Sequence, residues 1–147
     1  MGEEQDESNM DRRSYERVDV ELDVRWRRLA PEQAHSMLNR YLQNGALDVS
    51  ALGAEVEDPQ GMARTQNLSF KGLRLQDGSD LAEGWELLME ILAPDQDQPI
   101  RALAAVIWVT PPGLGPCQAG LFFKAIGGAD GERISRLMAV AKGDGHA

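Results

Sequence analysis

The chain is short of the side chains that do covalent chemistry. Its 147 residues include two histidines and a single cysteine, Cys117. One thiol excludes an internal disulfide framework and suits a reducing compartment. His35 falls in a helix-patterned segment and His146 in the C-terminal tail, so no histidine cluster exists for metal binding or base catalysis. Cys117 starts a strand after a Pro/Gly loop, where a buried thiol is the natural reading and a nucleophile is not. There is no P-loop, and Gly127-Gly128 before Asp130 reads as a turn into a helix. Positive charge is scarce as well: 15 Lys+Arg against 24 Asp+Glu give a formal net charge of −9. That balance argues against a surface for nucleic acid polymers or anionic membranes. No apolar run approaches the roughly 20 residues that a membrane span needs. No signal peptide opens the chain, and the cytoplasm is the expected location. No metal, no cofactor and no enzymatic activity are expected.

What is present suits one ordinary globular domain, with 42% apolar and 27% charged residues. Residues 1–11 are acidic and unpatterned, and read as a disordered tail. Residues 12–142 read as a single domain and residues 143–147 as a flexible C-terminus. From Val18, the apolar residues Val18, Val20, Leu22, Val24 and Trp26 alternate with Asp19, Glu21, Asp23 and Arg25, a strand pattern.

Pro31–Gln43 follows as a helix, with Ala34, Met37, Leu38, Tyr41 and Leu42 on one stripe and Gly45 as its stop. That stripe either packs on the domain's own core or, through Met37, Leu38, Tyr41 and Leu42, makes a homo-oligomer. Further strands are predicted for residues 61–68, for Leu73–Leu75 and for residues 85–92, where Trp85, Leu87, Met89 and Ile91 alternate with their neighbours. Residues 100–109 and 117–125 read as two more, the first of them buried. Asp130 is the expected N-cap of a terminal helix carrying Ile134, Leu137, Met138 and Ala141, with Gly143 as its stop. Short strands with turn signals between them, closed by one helix, predict a small antiparallel barrel or sandwich.

Two motifs carry the functional signal. Arginines crowd the start of the chain at positions 12, 13, 17, 25, 27 and 28, and Arg13 and Arg17 are spaced RxxxR. Arginine presents a planar fork that pairs with phosphate, stacks on flat rings and reaches O6 and N7 of guanine. Such a cluster in an acidic chain suits a small anionic ligand. The second motif, Asn67-Leu68-Ser69-Phe70-Lys71-Gly72, sets an amide, a hydroxyl and a glycine where one strand ends and the next begins. On residue types alone, each motif is ordinary.

In this order, the two motifs resemble the PilZ domain family, a bacterial family of receptors for the second messenger cyclic di-GMP. Gly84 before the strand Trp85–Leu92, the Val106-Ile107-Trp108-Val109 strand and Gly120-Leu121-Phe122-Phe123 resemble that family's later strands. The resemblance covers roughly residues 12–140. It implies a mainly β fold, a six-stranded antiparallel barrel with a C-terminal helix, into which the helix near residues 31–43 is inserted. Carried over residue by residue, it implies that Arg13 and Arg17 grip phosphates and guanines as their segment folds over the ligand, with Arg12 as an additional contact. Asn67 and Ser69 would hydrogen-bond the ligand from the barrel, and Gly72 would keep that surface open. The gap between Arg17 and Asn67 is longer than the family pattern. It also holds a competing match, Asp48-Val49-Ser50-Ala51-Leu52-Gly53. Asn67–Gly72 is preferred because the expected strands follow it without interruption. The resemblance implies signal transduction through a downstream protein partner; the alternative is an interaction module that keeps the barrel and binds no nucleotide.

Overall fold

A computed structural model of the chain describes residues 17–48, 61–78, 80–94, 97–111 and 113–144. Along it run β1 (Val18–Asp19), β2 (Asp23–Leu29), α1 (Pro31–Asn44), β3 (Gly61–Leu68), β4 (Gly72–Leu75), β5 (Glu86–Leu92), β6 (Ile100–Val109), β7 (Ala119–Ile126) and α2 (Gly128–Asp144). Every strand pairing is antiparallel. The ring β2–β3–β4–β7–β6–β5 closes on β2, giving the six-stranded barrel expected, while β1 adds a two-residue extension along β3. Among the described residues, closure leaves no long unpaired edge to recruit another chain.

The alternating residues fill the barrel. Val24 and Trp26 of β2, Leu68 of β3, Leu73 and Leu75 of β4, Leu87, Met89 and Ile91 of β5, and Leu121 and Phe123 of β7 form one buried cluster. Helix α2 adds Ile134 and Met138 to it. The first strand departs from the expected run, because it breaks between β1 and β2. There Thr65, fully buried, replaces ladder bonds with its side chain: Oγ1 accepts from the Leu22 N–H at 2.9 Å and donates to the Val20 carbonyl at 2.6 Å.

Strand β5 also departs from simple alternation. Leu88 and Glu90, on its outward parity, are as buried as its inward residues. The reason is α1, which lays Ala34 and Met37 against Leu29, Leu88, Leu103 and Ala125 on the barrel's outside, with Leu38, Tyr41 and Leu47 packed around them. Burying such side chains contributes about 1.5–3 kcal/mol for each large one. Of the helix's apolar stripe only Leu42, 70% exposed, is left facing solvent. The N-terminus of α1 is capped by Gln33, whose Oε1 accepts from the Ala30 N–H at 2.9 Å. At its C-terminus the Gly45 N–H donates to the Tyr41 carbonyl at 2.7 Å.

Three further expectations shift. Asp130 lies inside α2 and is not its N-cap; its carboxylate accepts from the Arg101 backbone N–H at 3.2 Å and from Arg133 Nη1 at 2.9 Å, tying the helix to β6. The helix also runs past Gly143 to Asp144, so glycine alone does not stop it. Cys117 is half-buried and reduced, not fully buried. Among the described residues, no helix is long and apolar enough to cross a membrane.

Candidate functional site

The Asn67–Gly72 motif is the turn between β3 and β4. Ser69 builds it. The Ser69 N–H donates to the Gly72 carbonyl at 2.8 Å, and Ser69 Oγ accepts from the Lys71 and Gly72 N–H groups, each at 3.2 Å. The hydroxyl thus substitutes for turn hydrogen bonds, the use to which short polar side chains are best suited. Ser69 is 1% exposed, so its hydroxyl lies beneath the surface and its direct work is to hold the turn. Gly72 has a different reason from the one expected. A Cβ there would lie 1.9 Å from the Leu121 carbonyl oxygen, so the group that approaches Gly72 is the backbone of β7.

Asn67 is set on the outer face by a bulge. Thr65 pairs with Leu75 and Asn67 with Arg74, leaving Gln66 as an extra residue. Residues two apart would otherwise share a face; the bulge turns Thr65 inward and Asn67 outward. There Asn67 Oδ1 accepts a hydrogen bond from Arg17 Nη1 at 3.0 Å. Arginine only donates, so the amide must present its oxygen to Arg17, and its NH2 group makes no hydrogen bond among the described residues. The arginine segment and the turn motif, fifty positions apart in sequence, therefore meet.

A second bulge does the same on β6. Val106 pairs with Leu121 and Trp108 with Gly120, so Trp108 faces outward although Val106 faces the core. The indole lies across Gly120, where a Cβ would stand 2.1 Å from its Nε1. The result is one cross-strand row on the outside of the barrel: Asp19, Asn67, Arg74, Gly120 and Trp108. Arg74 places its guanidinium carbon 5.4 Å from the Trp108 ring centroid.

The other arginines divide sharply. Arg12 and Arg13 lie outside the described residues. Arg25 is spent on Glu90, and Arg28 stacks 4.0 Å from the Trp85 ring centroid, so neither adds to the row. In the competing motif, Asp48 pairs with Arg40 at 3.1 Å, and the rest of that motif lies outside the described residues. Sequence reading singled out Arg17, Asn67, Ser69 and Gly72 but missed Arg74, Trp108 and Gly120 as a group. The available signal was parity: Leu73 and Leu75 face inward, which puts Arg74 outside beside Asn67.

A closed six-stranded barrel whose outer row brings a buried amide, Asn67, under the exposed Arg17 and beside the half-buried Arg74 defines a small binding domain. The chain matches the family model of the PilZ domain over residues 49–139, and it belongs to that family, one of nucleotide-binding receptors and not of enzymes. No curated protein matches it. Among solved structures, it is similar to the Bacillus subtilis inhibitor of motility MotI/DgrA, at 18% identity and a TM-score of 0.58 over 90% of this chain and 52% of that one. The chain thus spans about half the length of that protein. It is also similar to the PilZ domain of YcgR from Escherichia coli, solved with c-di-GMP, at 13% identity and a TM-score of 0.57, covering 91% of this chain and 94% of that one. At these identities the likeness is one of fold.

Proposed function

We propose that this chain is a receptor for cyclic di-GMP whose arginine segment closes over the outer face of the barrel beside Asn67. The observation that carries the proposal is the hydrogen bond from Arg17 to Asn67, which joins the two motifs on one surface. Arg13 and Arg17 pair with phosphate oxygens and guanine edges, Arg12 adds charge, and the free amide NH2 of Asn67 donates to a guanine or phosphate acceptor. Ser69 and Gly72 serve the ligand by fixing the turn and seating β4 against β7, which sets where Asn67 and Arg17 stand. No acid, base or nucleophile is needed, because binding is the output. Ligand then shifts the arginine segment toward a closed state, to the extent that it contacts that state better, and a partner protein reads the changed surface.

Calorimetric titration of cyclic di-GMP tests this, with Arg13→Ala and Asn67→Ala beside the wild type. Saturable binding weakened by both substitutions is expected; a well-folded wild type that binds nothing overturns it. A second reading, a PilZ-type interaction module without a nucleotide, is favoured by one observation: the family match begins at residue 49, after the arginine pair. Ligand-dependent protection of the Arg12–Arg17 segment from protease separates the two readings, and its absence counts against the closing segment.

A further inference from the structure

Arg74 stands out among the arginines of this acidic chain. Arg25 and Arg101 share Glu90, Arg64 pairs with Glu21 and Asp23, Arg40 with Asp48 and Arg133 with Asp130. Arg74 has no carboxylate and no hydrogen bond among the described residues; its Nε is buried without a partner, as is that of Arg25, but Arg25 still has Glu90 for its other nitrogens. Its one recorded interaction is with the face of Trp108. An orphaned buried donor is costly and uncommon, and calls for a reason. The surroundings supply one. Arg74 is the register partner of Asn67 on one side and Gly120 on the other, and the missing side chain at Gly120 is what lets the indole lie in reach. Two bulges, at Gln66 and Ile107, are needed to bring Asn67 and Trp108 into this row. Bulges are concentrated beside functional sites because they re-aim side chains in this way.

We propose that Arg74, positioned by Trp108 over Gly120, is a further ligand-contacting arginine of this receptor and the residue that selects guanine over adenine. The inference rests on the reading of the chain as a cyclic dinucleotide receptor. The chemistry is direct. Guanine offers two acceptors, O6 and N7, to the parallel donors of a guanidinium, whereas adenine replaces O6 by an amino donor that repels it. A flat base also stacks on a guanidinium plane or an indole, both present here. Trp108 holds the fork at a fixed angle, which lysine cannot reproduce because its charge is a rotating point. Arg17 beside Asn67 supplies the neighbouring cation for a phosphate, so phosphate and base are met on the two sides of β3.

The test is calorimetric titration of both cyclic di-GMP and cyclic di-AMP into the full chain, with Arg74→Ala, Arg74→Lys, Trp108→Ala and Trp108→Phe. Wild type is expected to prefer the guanine dinucleotide. Arg74→Ala is expected to weaken cyclic di-GMP by about tenfold or more while leaving cyclic di-AMP nearly unchanged. Arg74→Lys should recover only a small part of the affinity for cyclic di-GMP, and so only a small part of the discrimination, because lysine lacks the fixed fork. Trp108→Ala should lose discrimination while remaining folded in urea unfolding, which a merely structural role of the ring would not produce, and Trp108→Phe, which keeps a ring face for the guanidinium, should restore it. If wild type binds cyclic di-GMP and Arg74→Ala keeps both affinity and preference, this inference falls while the receptor reading stands. If wild type binds neither dinucleotide, both fall together. Urea unfolding of Arg74→Ala guards the result: a folded variant that has lost the preference supports the assignment.

Discussion

Two sides of the barrel treat arginine in opposite ways. On the side of β2, β5 and β6, the register places Arg25, Glu90 and Arg101 in one row, and Glu90, 2% exposed, accepts from both arginines. The adjoining apolar positions are roofed by α1. On the side of β3, β4 and β7, Arg17 and Arg74 stand among Asn67, Gly120 and Trp108, with no ion pair to a carboxylate among the described residues. The first side's arginines are spent on Glu90; on the second, Arg64 of β3 and Lys124 of β7 have carboxylate partners, and Arg17 and Arg74 are the arginines left without one among the described residues. Net charge says nothing of this, because −9 is a sum over the whole chain and carries no information on placement.

The comparison can be broken most forcefully at Gly72. Gly72→Ala should cost about 3 kcal/mol of stability in urea unfolding, since its Cβ meets the rigid Leu121 carbonyl. If instead it costs little stability and only weakens ligand, the glycine serves the binding surface. Next comes Glu90→Gln, which leaves Arg25 and Arg101 without their carboxylate. We expect a loss of about 2 kcal/mol, less than for a fully enclosed pair because the two arginines remain 32% and 38% exposed. Cyclic di-GMP affinity should not change, which would keep the two sides distinct.

Arg17→Ala is the mirror image. Calorimetry should show affinity reduced by roughly tenfold to hundredfold, while stability stays within about 0.5 kcal/mol, because Arg17 is exposed and makes one hydrogen bond. The smallest effect belongs to Leu42→Glu. With only Leu42 of the α1 stripe exposed, light scattering should give an unchanged mass and unfolding an unchanged midpoint. A halved mass would instead show that α1 joins subunits. Leu38→Glu, by contrast, should destabilise the fold itself, since Leu38 packs against the barrel.

Much of the barrel was legible because strands with one wet face write their parity into the sequence. Residues 61–68 and 100–109 were read with the boundaries that β3 and β6 show. Where reading fell short, a non-local partner had overridden the period. Strand β5 is buried on both faces because α1 covers its outside, and nothing within residues 86–92 announces the helix. Thr65 and Asn67, and likewise Val106 and Trp108, are two apart yet face opposite ways, since each pair spans a bulge. The Arg74–Trp108 neighbourhood depends on register across three strands, which no local window contains. Ser69 was legible as a residue but not in its role, because a hydroxyl that holds a turn and one that meets a ligand look alike in a sequence.

The break between β1 and β2 bears on how the site opens. Below it, two residue pairs, Val18 with Leu68 and Asp19 with Asn67, stitch the arm carrying Arg17 to the barrel. Thr65 lets that stitch end cleanly, so peeling it disturbs none of the ladder above. Seams this short lie near the bottom of the scale of local opening energies, far below the cost of unfolding the whole domain. In the receptor proposed above, a ligand gripped by Arg17 would work like the slider of a zip, shutting two stitches at little expense. Its signature would be slowed amide exchange at Val18 and Asp19, with the rest of the barrel exchanging as before.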